Sequence, residues 1–109
     1  MDITVIIPTK DEFDFFINTF KATINQSLKP IKIIIIDSSI QNKINNYINN
    51  LKNINIEIIY RRVEKAYPGE ARNKGIKYVN TEWVAFLDSK TVPDIDWLKS
   101  SSQKINILK

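Results

Sequence analysis

Apolar residues along this chain alternate between two spacings, one suited to strands and one to helices. Ile3-Thr4-Val5-Ile6-Ile7 is a short β-branched run, and Pro8 is expected to stop it because proline offers no N–H to a ladder. Ile31-Lys32-Ile33-Ile34-Ile35-Ile36 is almost continuously apolar, which is how a strand covered on both faces reads. Residues 54–60 and the run Trp83-Val84-Ala85-Phe86-Leu87 supply two further strands. Between them, Phe13, Phe16, Ile17, Phe20 and Ile24 form one helical stripe. Ile40, Ile44, Tyr47, Ile48 and Leu51 form a second, with Ser38 or Ser39 available as its N-cap. A third helix opens at Pro68-Gly69-Glu70 and runs to about Val79, with Ala71 and Gly75 on its close-packing side. A last one starts near Asp94 and carries Trp97 and Leu98. Strands alternating with helices make a βαβ series. The expectation is a single α/β domain over residues 1–109. It is Rossmann-like, three layers in α/β/α order, with a mostly parallel sheet of order 3-2-1-4.

Composition narrows the chemistry. The chain has neither cysteine nor histidine, so it offers no thiolate metal site, no disulfide and no imidazole base. Its net charge of +4 comes from scattered Lys and Arg rather than from a basic run. That balance suits an anionic small molecule or plain solubility, and no nucleic-acid partner is expected. The N-terminus lacks the basic start and long apolar stretch of a signal peptide, and no apolar run could span a bilayer. A cytoplasmic protein without a transmembrane segment is expected.

In an open parallel sheet, ligands bind where the carboxyl ends of the strands meet helix N-termini. Polar residues gather at those places: Thr9, Lys10, Asp11 and Glu12 after the first strand, Asp37, Ser38 and Ser39 after the second, and Asp88, Ser89, Lys90 and Thr91 after the fourth. Arg72 stands near the start of the third helix. Helix capping accounts for several of these taken singly, notably Asp11, Ser38, Ser39 and Asp94. It does not account for Arg72 or Lys90, so the edge as a whole reads as a binding site. A chain with two glycines cannot build a Gly-rich dinucleotide fingerprint, and it has no phosphate loop. Recognition must therefore rest on side chains.

Four segments, in order, resemble family 2 glycosyltransferases. Val5-Ile6-Ile7-Pro8-Thr9-Lys10-Asp11-Glu12 is similar to the family's opening Ile-Ile-Pro-Thr-Tyr-Asn-Glu. Gln26-Ser27-Leu28 followed by Ile33 to Asp37 resembles its second block, which ends in paired aspartates. Gly69-Glu70-Ala71-Arg72-Asn73-Lys74-Gly75 is the most specific match, to Gly-X-Ala-Arg-Asn-X-Gly. Trp83 to Asp88, then Pro93 and Trp97-Leu98, resemble the block built around Asp-X-Asp. The resemblance implies a GT-A fold and sugar transfer from a nucleotide diphosphate donor, with a role in cell-surface polysaccharide or glycan synthesis. It implies that Thr9 and Glu12 line the base and ribose pocket, that Asp37 bonds the base, and that Arg72 meets the base or diphosphate, with Pro8 and Ser38 counted among the donor-binding residues. Asp88 would hold the ribose and a divalent metal, Mg²⁺ or Mn²⁺, whose charge would neutralise the leaving diphosphate.

The chain departs from that pattern at three positions. Lys10 replaces the tyrosine, Ser38 the second aspartate, and Lys90 the last acid of Asp-X-Asp. An ammonium beside a single carboxylate repels a cation, so Lys90 is expected to meet the donor itself and to make donor binding independent of metal. Members of the family continue beyond the donor-binding half, so the expectation is a truncated donor-binding region that is inactive alone. Such a region would self-associate through surfaces that a further half would cover. Two other readings stay open on sequence. One is a non-catalytic remnant that binds a nucleotide or a protein. The other is a receiver-like signalling domain, in which the Gly69–Gly75 segment has no place.

Overall fold

The computed structural model describes residues 2–64 and 67–108. In chain order its elements are β1 (Ile3–Thr9), α1 (Phe13–Ile24), β2 (Lys32–Asp37), α2 (Lys43–Asn49), β3 (Glu57–Arg62), α3 (Pro68–Ile76), β4 (Trp83–Phe86) and α4 (Trp97–Leu108). The strands form one sheet in the order β3-β2-β1-β4, and every neighbouring pair is parallel. Both the architecture and the strand order are those expected from the βαβ pattern.

The two faces of the sheet divide the isoleucines by parity. Ile3, Val5, Ile7, Ile33 and Ile35 pack with Phe16 and Phe20 of α1, Ile44 of α2 and Leu98 of α4. Ile6, Ile34 and Ile36 point the other way, against Ala71 of α3. Hence the unbroken apolar run of β2, whose six residues are all buried. Helix α3 lies so close to the sheet that a Cβ on Gly75 would stand 2.8 Å from Ile6 Cγ2 and 3.4 Å from Ile36 Cγ1. Gly75→Ala would gain about 1 kcal/mol in helix propensity but lose about 1–3 kcal/mol to overpacking. A net loss of up to about 2 kcal/mol is expected in urea unfolding. Gly69→Ala is its control, because a Cβ there meets nothing within 4 Å, and it should cost nothing.

Several boundaries differ from the sequence expectation. Strand β1 runs through Pro8 to Thr9, where Thr9 pairs with Asp37. Odd-numbered carbonyls of β1 face β2, since Ile3 O accepts from Ile31 N and Thr9 O from Ser38 N, while Ile6 O faces β4 and accepts from Leu87 N. The N–H that Pro8 lacks would point to the side where β4 has already ended, so nothing is lost. Strand β3 begins at Glu57, not residue 54, because Ile54 and Ile56 pack on the core without pairing. Helix α2 begins at Lys43 after Asn42, with no side-chain cap from Ser38 or Ser39. Asp94 does not start α4; its Oδ1 accepts from Asp96 N at 2.9 Å, a turn that leads into the helix. That entrance is held by buried Gln26, whose Nε2 donates to Asp94 O at 2.7 Å and whose Oε1 accepts from Leu98 N at 3.1 Å. At the opposite, amino end of the sheet, buried Lys32 donates to Tyr78 O and Asn80 Oδ1. Among the described residues, no helix is long and apolar enough to cross a membrane.

Candidate functional site

The carboxyl ends of β1, β2 and β4 surround a cavity of about 240 Å³. Pro8, Thr9 and Glu12 come to it from β1 and the turn that follows, Ser38 from the end of β2, Arg72 from α3, and Asp88 from the loop after β4. These residues, scattered over 81 positions of sequence, are six of the eight expected to converge there. Lys10, Ala71 and Ser89 complete the lining. Ser89 was legible only as one of the polar residues after β4. It is 2% exposed, and its buried carbonyl takes a hydrogen bond from Thr19 Oγ1 at 2.8 Å, which anchors the loop.

Two polar groups at this cavity have no counterpart among the described residues. Thr9 is buried, and its Oγ1 has no hydrogen-bond partner among the described residues. Arg72, the fifth residue of α3, has its guanidinium 5.7 Å from the centroid of the Phe86 ring and no carboxylate partner among the described residues. The ring orients the guanidinium without neutralising it, leaving the N–H fork available to an anion. A buried polar group without a partner is costly, and such groups concentrate where a ligand completes them.

Asp37 and Lys90 stand outside the lining. Asp37 is fully buried, and its carboxylate is occupied: Oδ1 accepts from Ser39 N at 2.9 Å, Oδ2 from the Tyr60 hydroxyl at 2.5 Å, and Arg62 Nη1 lies 3.9 Å away. It supports the loop that carries Ser38 rather than facing the cavity. Arg62 donates to the carbonyls of Ser39, Ile40 and Gln41 and clamps the same loop. Asp11, whose φ is +52°, ties this loop to the β1 turn: its N–H donates to Ser39 Oγ at 2.8 Å and its Oδ1 accepts from Ile40 N at 2.9 Å. The serine and aspartate therefore serve as a loop staple, not as helix caps.

The Tyr60 phenol is pushed up to about 12 from 10.0, by burial first and then by the Asp37 carboxylate, with Arg62 opposing. A pKa raised by folding gives stability that is fully present below the unfolded value and is lost as pH climbs through the folded one. Wild-type resistance to urea should fall between pH 10 and 12, and Tyr60→Phe should flatten that slope.

On the other side of the cavity, Glu12 accepts a hydrogen bond from Ser89 Oγ and pairs with Lys90, Nζ to Oε1 at 3.4 Å. The divalent metal implied by the resemblance does not suit these residues. Asp88 is the single acid of its turn, and its Oδ1 already accepts from Lys90 N at 2.8 Å. The other carboxylate of the lining, Glu12, carries the Lys90 ammonium. Among the described residues, no group of three or more acids could hold a metal ion.

Comparison with known proteins agrees with this fold. The chain is 29% identical over 101 residues to the pre-mycofactocin glycosyltransferase of Mycobacterium tuberculosis, a match covering 91% of this chain and 20% of that protein. Its fold superposes on residues 1–349 of S. aureus TarS in complex with UDP, with a TM-score of 0.78, 22% identity and coverage of 97% of this chain and 32% of that one. A mannosyltransferase from Pyrobaculum calidifontis, in complex with GDP-Man and Mn²⁺, gives a TM-score of 0.80 at 18% identity, covering 93% and 31%. The chain thus spans about a fifth to a third of the length of these proteins. A model of glycosyl transferase family 2 matches residues 4–106. With the parallel sheet and the cavity at its carboxyl edge, that match assigns the chain to glycosyl transferase family 2.

Proposed function

We propose that the chain forms the donor-binding part of an enzyme that transfers a sugar from a nucleoside diphosphate to an acceptor in polysaccharide or glycan synthesis. The observation that carries this reading is the meeting, in one cavity, of a guanidinium and a buried hydroxyl that both lack a partner among the described residues. Arg72 supplies the charge for a diphosphate, while Thr9, Ser38 and Glu12 supply donors and acceptors for ribose and base. Solved proteins with this fold carry UDP, UDP-GlcNAc and GDP-Man, which supports a donor of that class. A cytoplasmic setting belongs to the same reading, supported by apolar runs that are spent on the core. So does self-association, supported by the exposed Val84 and Phe86 of edge strand β4.

Isothermal titration with UDP, GDP and dTDP tests the donor claim. At least one should bind with a Kd of about 50 µM to 1 mM, or about −6 to −4 kcal/mol. Uridine and guanosine, which lack the diphosphate, should bind at least about tenfold more weakly. Equal affinity for nucleoside and nucleoside diphosphate would refute the role given to Arg72.

A further inference from the structure

The turn after β4 sets the charge of the cavity. Lys90 does not line it, yet its ammonium sits 3.4 Å from a carboxylate oxygen of Glu12, which does. Three cationic side chains, Lys10, Arg72 and Lys90, thereby face two anionic ones, Glu12 and Asp88, a balance of one positive charge. With an acid at position 90, the cationic pair Lys10 and Arg72 would face three carboxylates, a balance of one negative charge. A site of the first kind attracts a diphosphate unaided, and a site of the second needs a cation to admit it.

We propose that Lys90 stands in for a divalent cation: its ammonium, held beside the cavity by Glu12, neutralises donor charge, and donor binding requires no metal. This inference rests on the nucleoside diphosphate reading of the site. Glu12 is itself fixed by Ser89 Oγ, so the ion pair has a defined position. The Lys90 side chain is 58% exposed and has a flexible four-carbon stem. It can turn from Glu12 to a phosphate without disturbing the fold, and a compact ammonium suits that anion.

The test is titration of UDP and GDP into wild type, Lys90→Met, Lys90→Arg and Lys90→Asp, each with Mn²⁺ and with EDTA. Wild-type affinity should change by less than about twofold between the two conditions. Lys90→Met should lose about tenfold in EDTA, and Lys90→Arg should recover most of that loss. Lys90→Asp should bind only when Mn²⁺ is present, and paramagnetic resonance of Mn²⁺ alone should show that this variant, unlike wild type, takes up the ion. If wild type binds only with Mn²⁺, the inference fails while the nucleotide reading stands. Metal-free affinity left unchanged in Lys90→Met would overturn it equally. If neither nucleotide binds under either condition, the inference and the nucleotide reading fall together.

Discussion

Replacing Asp37 with alanine is expected to cost about 2–4 kcal/mol of folding stability and to remove nucleotide binding with it. The carboxylate is fully buried and accepts from Ser39 N and the Tyr60 hydroxyl, with Arg62 close by. Each hydrogen bond to a charged group contributes about 1.5–3 kcal/mol, and truncation leaves both donors facing a void. For a domain whose whole stability is about 5–15 kcal/mol, the loss is large. The effect on binding follows from geometry, because the freed loop carries Ser38, which lines the cavity. Asp37→Asn keeps one acceptor and should cost less. Urea unfolding measures the first effect, and nucleotide titration under conditions where the variant is still folded measures the second. A variant as stable as wild type would show that Asp37 does not hold the loop.

Arg72→Ala should weaken binding of UDP or GDP about 10- to 150-fold, the equivalent of about 1.5–3 kcal/mol for a charge-assisted contact. The side chain is exposed, and its contact with the Phe86 ring contributes about 0.5–1 kcal/mol, so the fold should scarcely change. Arg72→Lys should recover only part of the affinity, since an ammonium keeps the charge but not the planar fork. Loss of affinity together with an unchanged urea midpoint identifies a binding role. If Arg72→Ala binds as wild type does, the guanidinium does not touch the donor.

The contrast between these residues shows what was legible in the sequence. Strand β2 was plain because four successive isoleucines suit only a strand buried on both faces. Its position beside β1 follows from short right-handed crossovers. The beginning of β3 was not plain, because Ile54 and Ile56 alternate with polar residues in the same way whether paired or merely packed. Chain topology brings Thr9, Ser38, Arg72 and Asp88 to one edge, so that part of the site could be read from strand ends alone. The role of Asp37 could not. Its partners Tyr60 and Arg62 reach it through the register of β3 on β2, which no local pattern announces. The contact between Lys90 and Glu12 likewise exists only after the sheet has formed. Residue type showed a cation where the family pattern has an acid; only the fold showed which carboxylate it meets.

The most direct measurement of the central claim is a map of amide chemical shifts during titration with UDP and GDP. The site described here predicts that the amides of Thr9, Ser38, Arg72 and Ser89 move together along one saturable curve, because they surround one cavity. Amides at the amino end of the sheet, such as Lys32 and Thr81, should stay in place. Shifts confined to other surfaces, or no saturable shift at millimolar nucleotide, would contradict a donor site at the carboxyl edge of this sheet.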